Sequence, residues 1–218
     1  MSRRTLLLLA LPLALWCQQK DPAFAPIADT PGLPRVLIIG DSISIGYTLP
    51  VRELLRGVAN VHRIPENAAF TRFGLTKLDA WLGTGRWDII HVNFGLHDLK
   101  IMEGGVRQVP VEEYERNLDA IFARLKQTGA KVIFANTTPV PEGKVNPLRD
   151  PADVPKYNAA AARAASRAGV PVTDLFAAVT PHLATYQRPV NVHFVDAGSR
   201  FLAETVVAGL RPLLARAK

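Results

Sequence analysis

"VLIIGDSISIG", residues 36–46, decides how the rest of the chain is read. Val36 to Ile39 are four apolar residues in a row, the pattern of a strand covered on both faces. They break at once into Gly40-Asp41-Ser42, and a helix follows. Gly, Asp and Ser are ordinary turn and cap residues, so a plain turn is one reading. The other is a serine held on a sharp strand-to-helix turn, with its hydroxyl exposed beside the first N–H groups of the helix. Neither G-x-x-x-x-G-K-[ST] nor G-x-G-x-x-G occurs here, so the turn lacks both glycine-rich phosphate-binding signatures. A reactive Ser42 requires a base and an oxyanion hole from the rest of the chain.

Beyond this stretch, apolar runs and helical patterns alternate. Strands are expected at 35–39, 60–64, 87–94, 131–136 and 170–175, and helices at 49–58, 75–82, 111–128, 153–168 and 197–217. The third helix is the clearest, with Tyr114, Leu118, Ile121, Phe122 and Leu125 on one stripe. Five strands alternating with five helices predict a three-layer α/β fold, a doubly wound parallel sheet of about flavodoxin size. In such sheets ligands sit beyond the carboxyl ends of the strands. That directs attention to "GDSIS", "ENAAFTRFG", "FGLHD" and "NTTPVPEG", the segments after strands one to four.

The first residues stand apart. Arg3 and Arg4 precede an apolar run from Leu6 to Trp16, 11 residues against the ~20 that a membrane-spanning helix needs. This reads as an export leader over 1–25, followed by a single domain over 26–218. The protein is expected to be exported, periplasmic or secreted. Cys17, the only cysteine, is a candidate lipid anchor, although the bulky Trp16 before it argues against one. "AFA" at 23–25 resembles a cleavage site, with an unfavourable Pro26 behind it. The net charge is +7; removing 1–25 takes away Arg3, Arg4, Lys20 and Asp21 and leaves 23 basic against 18 acidic residues, or +5. The basic residues are scattered, which argues against a nucleic-acid partner.

Five histidines could serve Ser42. His62 and His91 lie within strand patterns and read as packing residues, and His182 has no feature to recommend it. His193, in "RPVNVHFVDAG" just before the last helix, is on a loop that this topology returns to the edge carrying Ser42.

At these positions the chain resembles the GDSL/SGNH hydrolases, flavodoxin-like serine esterases. "GDSIS" is similar to their opening block, "NFGLHDL" to their third block, G-x-N-D, and "VHFVDAG" to the block carrying their histidine; the likeness runs from about residue 35 to 210. The resemblance implies Ser42 as nucleophile and His193 as general base. It implies an oxyanion hole from the Ser42 N–H, a backbone N–H near Ala68 or Ala69 (with Gly74 as the other candidate), and position 97. Gly95 and Asp98 match their motif positions, and Asp41 is expected to fix the turn.

Two departures stand out. The family's asparagine is His97, which as neutral imidazole can donate one hydrogen bond; Asn93 is the competing amide. The family's aspartate, three residues before the histidine, is Val190. A Ser-His dyad is therefore expected, with Asn191, a backbone carbonyl or a carboxylate from elsewhere orienting the ring.

The implied activity is hydrolysis of an O-acyl, foremost O-acetyl, ester, on a small molecule or a carbohydrate, with no cofactor and no metal. The alternatives are a noncatalytic carbohydrate-binding protein on the same fold and an O-acyltransferase using the same serine. Arg72 and Arg149 are candidates to meet an anionic substrate group, though each reads first as a surface charge, and Trp81 and Trp87 read as core.

Overall fold

A computed structural model describes residues 21–215; the basic and apolar parts of the leader and Cys17 lie outside them. Five parallel strands form one sheet in the order β2-β1-β3-β4-β5. They are β1 Arg35–Ile39, β2 Asn60–Arg63, β3 Ile89–Asn93, β4 Lys131–Ala135 and β5 Val172–Thr173. The helices are α1 Ser42–Leu54, α2 Thr71–Leu82, α3 Val111–Lys126, α4 Val154–Ala168, α5 Leu175–Val179, α6 Leu183–Tyr186 and α7 Asp196–Leu214. Helices α1 and α7 pack against each other on one face of the sheet, and α2, α3 and α4 pack in series on the other. This is the doubly wound α/β architecture expected from the alternating runs.

The central strands explain why the runs are continuous rather than alternating. Val36, Leu37, Ile38 and Ile39 are all buried, as are Ile89, Ile90 and Val92 in β3, because helices cover both faces. Burial of each such side chain contributes about 1.5–3 kcal/mol of transfer free energy. The strand order places β1 between β2 and β3, so the loops after these three strands converge at one edge.

Three expectations required correction. Helix α1 starts at Ser42 rather than residue 49, directly after the turn. Asp41 caps it by accepting the Ile43 N–H at 2.9 Å, while Gly46 and Pro50 within the helix obscure its pattern. Helix α2 starts at Thr71 rather than 75 because its first turn is capped from another loop: the Thr71 N–H donates to Asp98 Oδ1 at 2.9 Å. The segment 175–186, read as the end of a strand and a loop, forms α5 and α6, and β5 shrinks to two residues. Asp174 caps α5, accepting from the Ala177 N–H at 2.9 Å.

Residues Pro22–Phe24, on the leader side of the boundary drawn from sequence, form a 3-10 turn with Ala23 buried. Arg52 of α1 donates to the Ala25 carbonyl at 3.2 Å, and the Arg63 guanidinium lies 5.3 Å from the Phe24 ring centroid. Asn60 then ties residues 30–33 to the sheet edge through Thr30 and Leu33.

Candidate active site

Ser42 is the first residue of α1, half-buried, and its Oγ lies 2.9 Å from His193 Nε2. The two are 151 residues apart in sequence. The turn carrying the serine is held from below by Arg63, at the end of β2. Its guanidinium donates to the carbonyl of Gly40 at 2.8 Å and to Ser44 Oγ at 2.7 Å. Ser44 in turn donates to the Asp41 carbonyl at 2.7 Å. Burial pushes Arg63 down to about 10, which leaves it charged at neutral pH. Gly40 is required here: a Cβ would lie 2.7 Å from Ser44 Oγ. Arg63 was not foreseen; its only sequence signal is a charged residue closing a strand pattern.

The second half of the dyad sits in the turn before α7. His193 Nδ1 lies 2.8 Å from Asn191 Oδ1, and the same oxygen accepts the His193 backbone N–H at 2.9 Å. A backbone N–H can only donate, so the asparagine atom facing it is the carbonyl oxygen. The ring must therefore donate from Nδ1, and Nε2 carries the lone pair that accepts the Ser42 hydroxyl proton. Burial, followed by the charges of Arg188 and Arg149, holds His193 below its ordinary value of 6.5, so the ring is neutral at pH 7. Asn191 thus takes the place that a carboxylate would occupy, orienting the base without adding negative charge. Val190, at the family's acid position, has its isopropyl group beside Gly143 and a left-handed φ of 47°.

The loop after β3 lies alongside. Gly95 has φ 133°, and a Cβ there would come within 2.2 Å of Thr137 Oγ1, so no other residue fits without rearrangement. Thr137 and Tyr114 both donate to the Phe94 carbonyl, at 3.1 and 3.0 Å. His97 is half-buried, with Nδ1 2.9 Å from Lys100 Nζ. Asp98 turns the other way, to Thr71 and the start of α2, and burial raises it to about 7. Asp41, fully buried, is likewise raised to about 6. Neither carboxyl is bonded to a histidine; each is a local brace.

The oxyanion candidates separate on geometry. The Ser42 N–H belongs to the first turn of α1 and has no acceptor among the described residues. Ala69 requires correction: its φ is 52°, the left-handed conformation a glycine would supply, but its N–H is spent on Asn67 Oδ1 at 2.8 Å. Ala68 N–H bonds the Gly40 carbonyl, and Gly74 N–H lies inside α2, bonded to Phe70 O. The competing Asn93 amide donates to Ala135 O at 2.9 Å and pins β3 to β4. His97 Nε2 meets no protein acceptor among the described residues.

The remaining candidates fall into place. Arg72 pairs with Glu113, and Arg149 is buried with Nε donating to Leu96 O at 2.8 Å, which ties the loop after β4 to the loop carrying His97. Trp81 and Trp87 are buried, bonded through their indole N–H groups to Glu66 and Leu82. An open cavity of 710 Å³ adjoins Ser42 and His193, walled by Ile45, Leu49 and Phe194 with Arg188 and Asp196 among its polar groups.

A serine bonded to an oriented neutral imidazole, at the head of a helix and beside a cavity, is an arrangement that nucleophilic serine chemistry can use. Residues 38–201 match the GDSL-like lipase/acylhydrolase family, and the chain belongs to it: it is an ester hydrolase of the SGNH type. No curated protein sequence matches the chain. Among solved structures it is similar to a lipase/acylhydrolase from Enterococcus faecalis (TM-score 0.72, 20% identity, 83% of this chain and 96% of that one). It is similar to the acetyl xylan esterase AlAXEase (0.69, 16%, 81% and 99%). It is also similar to the acetylxylan esterase Axe2 from Geobacillus stearothermophilus (0.67, 18%, 83% and 94%). At these identities the likeness speaks to the fold. Among the described residues no helix is long and apolar enough to cross a membrane.

Proposed function

We propose that this protein hydrolyses O-acyl esters, foremost O-acetyl groups on carbohydrate, through an acyl-enzyme on Ser42. The observation that carries the reading is the hydrogen-bonded chain from Ser42 Oγ through His193 to Asn191, whose polarity leaves the base lone pair on the serine. Ser42 Oγ attacks the ester carbonyl while its proton passes to His193 Nε2. The tetrahedral oxyanion is met by the Ser42 N–H and by His97. Collapse expels the alcohol, which takes the proton back from His193. Water, deprotonated by the same nitrogen, then attacks the acyl-enzyme, and collapse releases the carboxylic acid as His193 returns the proton to Ser42 Oγ.

The carbohydrate assignment is supported by the mixed polar and apolar wall of the open cavity, suited to a sugar ring, and by the acetyl xylan esterases among the structural neighbours. The basic-then-apolar leader supports action outside the cytoplasm.

The test is release of 4-nitrophenol from 4-nitrophenyl acetate, and of acetate from acetylated xylooligosaccharides, by wild type and Ser42→Ala. Loss of both in the variant is expected. Equal turnover by the two proteins would remove Ser42 from the chemistry. Acetylated sugar acceptor formed in place of free acetate would mark an acyltransferase.

A further inference from the structure

We propose that Lys100 is a positioning residue for the oxyanion hole, holding His97 as the Nε2–H tautomer so that the ring presents a fixed N–H, in place of a side-chain amide, to the developing anion. This rests on the Ser42 acyl-enzyme reading above.

The geometry is a single contact with a large consequence. Lys100 Nζ lies 2.9 Å from His97 Nδ1, three residues away on the loop after β3. An ammonium has donors only, so Nδ1 must accept; an imidazolium, with protons on both nitrogens, would place donor against donor. The ring is therefore neutral, and its one N–H is at Nε2. That nitrogen has no other protein partner among the described residues. The loop is rigidly seated: Lys100 N–H bonds the His97 carbonyl at 3.3 Å, Leu99 N–H bonds Gly95 O at 3.0 Å, and Arg149 holds Leu96 O. The loops after β1 and β3 are neighbours because β1 pairs with β3, so His97 is brought to the edge that carries Ser42.

The charges of Lys100 on its own loop, Arg149 from the loop after β4 and His193 from the turn before α7 all oppose a proton on His97. Burial and these neighbours push His97 down to about 3, so it does not change charge near neutral pH. This answers the difficulty in replacing an asparagine with a histidine. A free imidazole exchanges between two neutral tautomers and a cation, and only one neutral form offers Nε2–H with a lone pair at Nδ1. The wrong neutral tautomer would turn a lone pair on the oxyanion. Lys100 removes that state, and its charge polarises the ring so that Nε2–H is a stronger donor.

The experiment has a structural and a kinetic arm. Two-bond ¹H–¹⁵N correlation spectra of wild type at pH 7 should show His97 with a pyridine-like Nδ1 and a pyrrole-like Nε2; Lys100→Met should shift the ring toward mixed tautomers. With 4-nitrophenyl acetate, Lys100→Met should lower kcat about tenfold with KM within about twofold, a loss confined to the transition state. Lys100→Arg, which also only donates, should keep the wild-type tautomer and most of the rate. In a His97→Asn background, where the amide has no tautomer to lose, adding Lys100→Met should cost less than twofold.

A protonated Nδ1 in wild type, an unchanged kcat in Lys100→Met, or an equal loss in both backgrounds would each overturn the proposal. The nuclear magnetic resonance arm stands apart from turnover. Failure of the esterase reading would show separately, as unimpaired hydrolysis by Ser42→Ala.

Discussion

Two loops at one edge of the sheet each hold a histidine by Nδ1, and their neighbours give the two rings opposite polarity. In the turn before α7, Asn191 Oδ1 accepts from His193 Nδ1, so Nε2 is left with a lone pair beside Ser42. In the loop after β3, Lys100 donates to His97 Nδ1, so Nε2 is left with a proton. In the proposed mechanism one imidazole serves as base and the other as donor, though both are neutral and both are depressed first by burial. The chemistry of a histidine here is set by the single atom facing its far nitrogen.

That contrast is open to attack in order of expected effect. His193→Ala should reduce kcat roughly 10⁴-fold or more, since in the proposed mechanism it removes the group that both takes and returns the proton. His97→Ala should cost about 10²–10³-fold, the usual loss for one oxyanion donor. Both are read from ester hydrolysis, and equal effects would erase the distinction between base and donor.

A smaller effect concerns the neutral partner of the base. Rate at low substrate requires neutral His193, and a depressed pKa keeps it neutral to lower pH. The acid limb of kcat/KM should therefore lie below 6.5. Asn191→Asp adds an anion that stabilises the imidazolium; it should move that limb upward and raise the plateau rate several-fold. A limb already above 6.5 in wild type, or one that Asn191→Asp leaves in place, would contradict the assigned geometry.

The smallest effect comes from a third histidine with neither kind of neighbour. His91 in β3 is fully buried, both ring nitrogens lack partners among the described residues, and its ring lies 5.8 Å from that of Tyr47. Burial, with the charge of Arg63 also against the proton, pushes it down to about 4. The unfolded chain takes up a proton near 6.5 and the folded chain does not. Stability is therefore lost as pH falls from 6.5 toward 4. Urea midpoints at pH 7 and 5 should differ less in His91→Leu than in wild type; an identical difference would place the pH sensitivity elsewhere.

The strands and their order of alternation were legible because β1, β3 and β4 are continuous apolar runs, and the pairing of Ser42 with His193 followed from where those strands end. Asn191 was among the groups expected to orient the ring. The helix starts were not legible, because α2 is capped by Asp98 from a different loop and α1 carries both a glycine and a proline. Ala69 shows the same limit: its backbone conformation suits the glycine it replaces, yet the local Asn67 side chain takes its amide. Arg63 and Lys100 act through contacts that no motif records, one on the carbonyl of Gly40 and one on a ring nitrogen. A lysine three residues after the histidine in "HDLK" is the only trace of the latter in the chain.

The central claim is that Ser42 is a nucleophile activated by His193, and the most direct test is covalent capture. Wild type, Ser42→Ala and His193→Gln would be treated with diethyl 4-nitrophenyl phosphate, weighed intact, and digested for peptide mapping. The expected result is one diethylphosphoryl group per chain on Ser42 in wild type, none in Ser42→Ala, and labelling slowed by orders of magnitude in His193→Gln. An adduct on another residue, or wild type that hydrolyses esters while Ser42 stays unlabelled, would contradict it.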